Sequence, residues 1–244
     1  MPVKFQNYAY SFQLNAKPVF VPSDLGARIG NDVKGRVERI HSFAQYFYHL
    51  RRGGHVAALH AHRENRYFCK IDLRNFFYSI PRNRVVRALR EVGIPRPEHY
   101  GKWSCVKNPY EQPSYSLPYG FVQSPILATL VLDQSLLGAI AKNLSADLTL
   151  SVYVDDISLS SNNLDTLLDG YAEICAAVDA SGFTISPEKS VPPCESLTVF
   201  NCHLQTGTTF VTLARKEIFL SKQPNPAQLE GFDRYVRSVE RGNN

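Results

Sequence analysis

Apolar and polar residues alternate on both sides of Asp155-Asp156 in the stretch SVYVDDISLS (151–160). A period of two marks strands with one buried face, so this stretch reads as a β-hairpin with two acids at or beside its turn. The stretch RYFCKIDL (66–73) is apolar nearly throughout and predicts a mostly buried strand that ends on Asp72. Helical spacing of apolar residues returns over Leu164–Ala180, stops before Gly182, and also marks Asn83–Val92 and residues 33–50. Ser124–Leu144 predicts one long helix, with Ser124 as its N-cap and Pro125 at its first position. Residues 18–30 predict short strands about a turn, and residues 93–122 an irregular segment rich in Pro, Gly and Tyr. Residues 196–203 and 208–213 predict strands, and Ala227–Arg241 a last helix. Helices and antiparallel strands interleave without regular βαβ repeats, which predicts an α+β fold: an antiparallel sheet with helices on one face.

Composition narrows the class. With 244 residues, 44% of them hydrophobic and 20% charged, the chain can build one large domain or two intimate subdomains. No apolar stretch is long enough to span a bilayer. The first residues, MPVKFQNYAYSF, lack the apolar centre of a signal peptide. A cytoplasmic protein with no membrane partner is expected. Cys69, Cys105, Cys175, Cys194 and Cys202 are scattered and never spaced as CxxC, which argues against a zinc site or a disulfide framework. The net charge of +5 is modest, but Arg28, Lys34, Arg36, Arg39, Arg51 and Arg52 face only Asp32 and Glu38 between positions 28 and 52. Phe43, Tyr46, Phe47 and Tyr48 lie among them. Basic residues beside aromatic ones suit a nucleic-acid surface; the helical spacing of 43, 46 and 47 equally suits burial of the rings.

The acids are the candidate chemistry. Adjacent carboxylates repel, and beside Val and Ile they need a cation. Magnesium takes oxygen ligands and keeps positions open for phosphates. The plain alternative is a solvated turn that happens to carry two aspartates. Asp72 supplies a third carboxylate at the end of a buried strand, either functional or ion-paired with Lys70 or Arg74 beside it.

Several segments, in order, resemble the bacterial reverse transcriptases of retrons, group II introns and defence systems. The tetrad YVDD (Tyr153–Asp156) resembles that family's catalytic hairpin, and KIDLRNFFYSIP its first catalytic motif. LPYGFVQSPILATLVLD resembles its glycine turn and following helix, with Pro118, Gly120, Ser124 and Pro125 matching. GFTISPEKS resembles the next element, TVFNCHLQ the hairpin that grips the primer, and RRGGHVAALHAH the segment before the first motif. The 83 residues between Asp72 and Asp155 agree with this order.

The resemblance implies an RNA-directed DNA polymerase of palm and fingers that makes cDNA from deoxynucleoside triphosphates with two Mg²⁺ ions. Asp72, Asp155 and Asp156 would bind metal, with the Leu73 carbonyl as a backbone ligand. One ion would activate a primer 3′-hydroxyl and the other hold the triphosphate. Lys189 would stand near the leaving pyrophosphate, as general acid or fixed charge. Phe77 would lie against the sugar and exclude ribonucleotides; its alternative is core packing beside Phe76. Gly120 would let the backbone approach nucleotide or template. Tyr119 stands where glutamine is usual, at a position that touches the nucleotide. Tyr153 and Val154 would lie under the primer terminus, and Ser124 on the primer–template side. Arg28, in a fingers hairpin VPSDLGARI, would meet the triphosphate.

The implied divisions are fingers over 1–65, palm over 66–205 with an inserted fingers segment at 82–117, and a reduced thumb or tail over 206–244. About forty residues follow position 205, room for one strand pair and one helix. A structured noncoding RNA, an accessory protein or self-association would complete the grip on the RNA template and DNA product. A bacterial defence or retron-like role follows from the same resemblance. Two other readings stay open: template-independent or protein-primed DNA synthesis on the same fold, and a non-catalytic RNA-binding scaffold.

Overall fold

The computed structural model describes residues 5–15 and 17–243. Strands β1 (Tyr8–Leu14) and β2 (Lys17–Pro22) form an antiparallel hairpin, followed by helix α1 (Asp24–Ile40). After α2 (Gly54–His62) come β3 (Tyr67–Asp72), the short α3 (Phe76–Ser79), α4 (Arg82–Glu91) and α5 (Pro97–Ser104). The two-residue strands β4 (Val106–Lys107) and β5 (Tyr115–Ser116) precede α6 (Ser124–Asp133) and α7 (Leu136–Leu144). The chain continues through β6 (Thr149–Tyr153), β7 (Asp156–Ser161), α8 (Leu164–Ala180) and β8 (Val191–Cys194). It ends with β9 (Ser196–Val199), β10 (Cys202–Gln205), β11 (Thr208–Val211), α9 (Leu213–Leu220) and α10 (Pro226–Glu240). Two compact units result: residues up to Ala44 with Arg74–Ala139, and Gln45–Leu73 with the residues from Ile140 onward.

The second unit is built on an antiparallel sheet of order β6-β7-β3-β8. Strand β3 is inside that sheet, which is why its sequence is apolar: Phe68, Cys69 and Ile71 are fully buried. Helix α8 matches its predicted span, and the Asn163 side chain caps it by accepting from Thr166 N at 3.1 Å. A second sheet, β11-β10-β9, shares a core with α2, β3 and α10 through Leu59, Phe68, Leu204, Val211 and Val239. Each such side chain contributes about 1.5–3 kcal/mol by leaving water.

In the first unit the β1–β2 hairpin and its neighbours enclose a smaller core of Phe20, Tyr78, Val106 and Phe121, with Tyr8 and Tyr119 packed against it. Here the structure corrects several expectations. Residues 18–30 are a strand only as far as Pro22, the end of β2; from Asp24 they are helix. Ser23 accepts from Gly26 N at 3.1 Å, and with Asp24 in the first turn it starts α1. That helix stops at Ile40, where His41 turns extended, so Phe43, Tyr46 and Phe47 share no helix. The segment 93–122 contains α5, opened by Pro97. Ser124–Leu144 is two helices bent by 77°, with Gln123 and not Ser124 at the N-cap of α6. Helix α9 was not expected, although Thr212 caps it by accepting from Arg215 N at 3.3 Å. Among the described residues no single helix is long and apolar enough to cross a membrane.

Candidate active site

In the second unit the acids meet at one end of the four-stranded sheet. Asp72 and Asp156 are register partners on β3 and β7. Tyr153 pairs with Asp156, so Val154 and Asp155 form a two-residue turn, with Val154 at φ 60°. The Asp155 carbonyl accepts from Leu73 N at 2.9 Å, which ties the tip of this turn to the end of β3. The hairpin of alternating residues and the buried strand thus bring the three predicted acids to one place.

Two lysines answer the charge. Lys70 lies two residues before Asp72 on the same face of β3, and its Nζ is 2.9 Å from Asp156 Oδ1. Lys189 Nζ is 3.7 Å from Asp72 Oδ1. Of the two cations expected to flank Asp72, Lys70 turns instead to Asp156, and Lys189 stands beside Asp72. The turn that carries Lys189 is fixed by the end of β3, because Ser186 N donates to the Asp72 carbonyl at 2.8 Å and Asp72 N donates to Ser190 Oγ at 3.0 Å. Burial holds the Asp156 carboxyl above the usual carboxylate range; Lys70 pulls it down, and Asp72 pushes it up again.

This is a site that wants positive charge. Its donors are carboxylate oxygens on two strand ends, a set that fits a hard divalent cation. Among the described residues no three acid, His or Cys side chains already stand as a closed metal cluster. The lysine pairs at Asp72 and Asp156 hold part of the charge that a cation would take.

His49 is a residue that sequence reasoning missed. Val154 N donates to its Nδ1 at 3.1 Å, and burial pushes its pKa down to about 4, so the ring is neutral and accepts. Val152 N also donates to the Tyr46 carbonyl at 2.7 Å, so residues 46–49 run along the edge of β6 and brace the catalytic-type turn. The HL dipeptide after three aromatics gave no periodic signal that would have singled out His49. A second buried histidine, His62, joins the strands behind the acids: its ring nitrogens lie 2.7 Å from Ser160 Oγ and 2.8 Å from Ser151 Oγ.

The remaining predicted residues lie in the first unit. Phe77 is only 6% exposed and meets Tyr119 edge-on at 4.8 Å, while Phe76 beside it is buried more deeply. The Tyr119 carbonyl accepts from Phe20 N at 2.9 Å, and its hydroxyl accepts from Lys17 Nζ at 3.3 Å. Gly120 has φ 100°, and a Cβ there would fall 2.2 Å from the Phe20 carbonyl oxygen. The close approach that demands glycine is thus to strand β2 of the chain itself. Arg28 is exposed on α1, not in a hairpin; the cation at the hairpin turn is Lys17, which the assignment of VPSDLGARI to the fingers hairpin had hidden. Ser124 is 1% exposed and its hydroxyl finds no partner among the described residues, so it presents no surface to a nucleic acid.

The comparisons with known proteins agree with this geometry. The family model "Reverse transcriptase (RNA-dependent DNA polymerase)" matches residues 17–202, more than half of the chain. The Gag-Pol polyprotein of Rous sarcoma virus subgroup C (strain Prague) is 30% identical over 49% of this chain and 7% of the relative. That of Walleye dermal sarcoma virus is 26% identical over 71% of this chain and 9% of the relative. The chain therefore spans less than a tenth of the curated relatives it matches. A foamy viral protease-reverse transcriptase solved in complex with double-stranded DNA shares the fold, with a TM-score of 0.55 at 19% identity over 91% of this chain and 34% of that one. By the match to its family model, the chain belongs to the reverse transcriptase (RNA-dependent DNA polymerase) family.

Proposed function

We propose that the chain copies an RNA template into cDNA from deoxynucleoside triphosphates, and that it does so in a bacterial defence or retron-like setting with a structured noncoding RNA. The observation that carries the activity is the convergence of Asp72, Asp155 and Asp156 at one end of the β6-β7-β3-β8 sheet. Asp72, Asp155 and Asp156, with the Leu73 carbonyl, would hold two Mg²⁺ ions. When bound, these would neutralise phosphate charge and activate the attacking hydroxyl. The chain's own part is positioning. The β3–β7 register holds Asp72 against Asp156, the Leu73 bond fixes the turn, and Lys189 carries charge beside Asp72. Tyr153 and Val154 belong to the primer side in this reading, and Phe77 reads the sugar. The bacterial setting rests on the segment RRGGHVAALHAH, which contains all of α2, and on the order of the motifs.

The test is primer extension by the purified chain on an RNA template with Mg²⁺. Wild type extends the primer, and Asp155→Asn loses about three orders of magnitude or more in rate with little change in its unfolding midpoint. Extension without any template moves the reading to untemplated synthesis. RNA binding by both proteins with extension by neither moves it to a scaffold. Sequencing the RNA that co-purifies with the chain from a bacterial host tests the defence setting: one specific noncoding RNA supports it, and a random sample of cellular RNA removes it.

A further inference from the structure

A cavity of about 560 Å³ opens in the second unit, separate from the carboxylates but sharing Tyr153 with their hairpin. Its walls are a run of rings. Tyr153 meets Phe200 at 5.2 Å and His55 at 6.0 Å, and His55 meets Tyr235 at 5.6 Å. On the far side Phe219 of α9 and Phe232 of α10 stack face to face, 4.0 Å apart and 10° from parallel. Such walls suit a flat aromatic ligand.

Four further features say which. Among the described residues, Arg215 of α9 is the one charged residue lining the cavity, and no ion pair binds its guanidinium. The Asn201 amide and the Nε2 of Gln228, whose Oε1 already accepts from Asn225 N at 2.9 Å, add hydrogen-bonding groups. Gly231 also lines the cavity from the interior of α10, where glycine weakens a helix, and a Cβ there would meet nothing within 4 Å. The space is open because side chain is missing where none would clash. Backbone strain marks the rim: Phe200 and Asn201, the two turn residues between β9 and β10, have φ 55° and 58°, unusual for a bulky Phe.

We propose that this cavity binds one unpaired nucleotide, its base between the aromatic walls and its phosphate on Arg215. Stacking on several rings tolerates any base, and a free arginine fork takes a phosphate by paired hydrogen bonds. The cavity adjoins the primer side of the proposed function through Tyr153 and the Phe200–Asn201 turn, so the strand-end source rests on that reading and the free-nucleotide source does not. The nucleotide has two sources: free in solution, or the unpaired end of a strand.

The test uses the full chain in EDTA, so that no divalent cation supports polymerisation. Deoxyadenosine monophosphate and deoxyadenosine are titrated by calorimetry, and a DNA hairpin with one unpaired 3′ 2-aminopurine by fluorescence. The monophosphate should bind roughly tenfold or more tighter than the nucleoside, and Arg215→Gln should erase that difference. Gly231→Leu should fill the space and abolish binding of both, with an unfolding midpoint no lower than wild type. Quenching of the aminopurine in wild type, lost in Gly231→Leu, assigns the strand end; binding of the monophosphate alone assigns the free nucleotide. No binding of any probe, equal affinity for nucleoside and monophosphate, or unchanged binding in Gly231→Leu overturns the proposal. Arg215→Gln keeps it testable should Gly231→Leu fail to fold. Primer extension with Mg²⁺, run on the same proteins, reports on the polymerase reading separately.

Discussion

The acid end of the β6-β7-β3-β8 sheet and the aromatic corner around Tyr119 prepare for function by opposite physical means. At the acid end, like charges are gathered at a cost and held by Lys70 and Lys189. In the aromatic corner Lys17 meets the Tyr119 ring; Phe77, Tyr78 and Tyr119 pack edge to face, and Gly120 lets two backbones touch. The first region stores electrostatic energy that a cation can release. The second stores none and depends on shape. Substitutions in the first should therefore respond to added metal, and those in the second should not.

The largest expected effect is at Lys70. Lys70→Met leaves Asp156 buried beside Asp72 with its near cation gone, and breaking such a pair costs about 4 kcal/mol. Denaturant unfolding in EDTA should show that loss, and millimolar Mg²⁺ should recover a large part of it. A loss that Mg²⁺ leaves untouched would mean that the acids do not take a divalent cation. Gly120→Ala comes next, at about 3 kcal/mol, since a Cβ would collide with the Phe20 carbonyl and φ 100° is closed to alanine. Magnesium should not recover it; recovery would erase the contrast between the two regions.

Acid sharpens the comparison from the other side. Burial holds both His49 and His62 down to about 4, from an ordinary 6.5. A depressed pKa means that the unfolded chain takes the proton first. The stability these residues support is complete above pH 6.5 and is lost as the pH falls toward 4. At pH 5 the loss is about 2 kcal/mol for each. Urea midpoints at pH 7 and pH 5 measure it, and His62→Gln should flatten the slope.

The acid end was legible in the sequence because local rules agreed there. Period two on both sides of Asp155-Asp156, an apolar strand ending on Asp72 and an amphipathic helix over Leu164–Ala180 all survive folding. The first unit was harder for the reason that it works by shape. Residues 18–22 are the expected strand, but beyond them Ser23 as an N-cap decided for a helix where a second strand was expected. The Ser124–Leu144 run is apolar enough for one helix, but Ser135 breaks it, its Oγ accepting from Gly138 N at 3.4 Å. Lys17 and His49 were invisible because their partners, Tyr119 and Val154, lie about a hundred residues away. Long-range partners of this kind leave no periodic mark.

The smallest effect tests whether the catalytic-type turn is strained for a purpose. Val154 has φ 60°, a region that a β-branched residue enters at a cost of about 1–2 kcal/mol. Asparagine tolerates that region and fits a two-residue hairpin turn. Val154→Asn should raise stability by about 1 kcal/mol, reduced by the partial burial that Val154 gives up. If the strained valine also fixes where Asp155 stands, single-turnover extension should slow while the urea midpoint rises. A faster or unchanged rate with the same gain would show the strain to be incidental. A loss of stability would show that the valine side chain packs more strongly than its backbone strains.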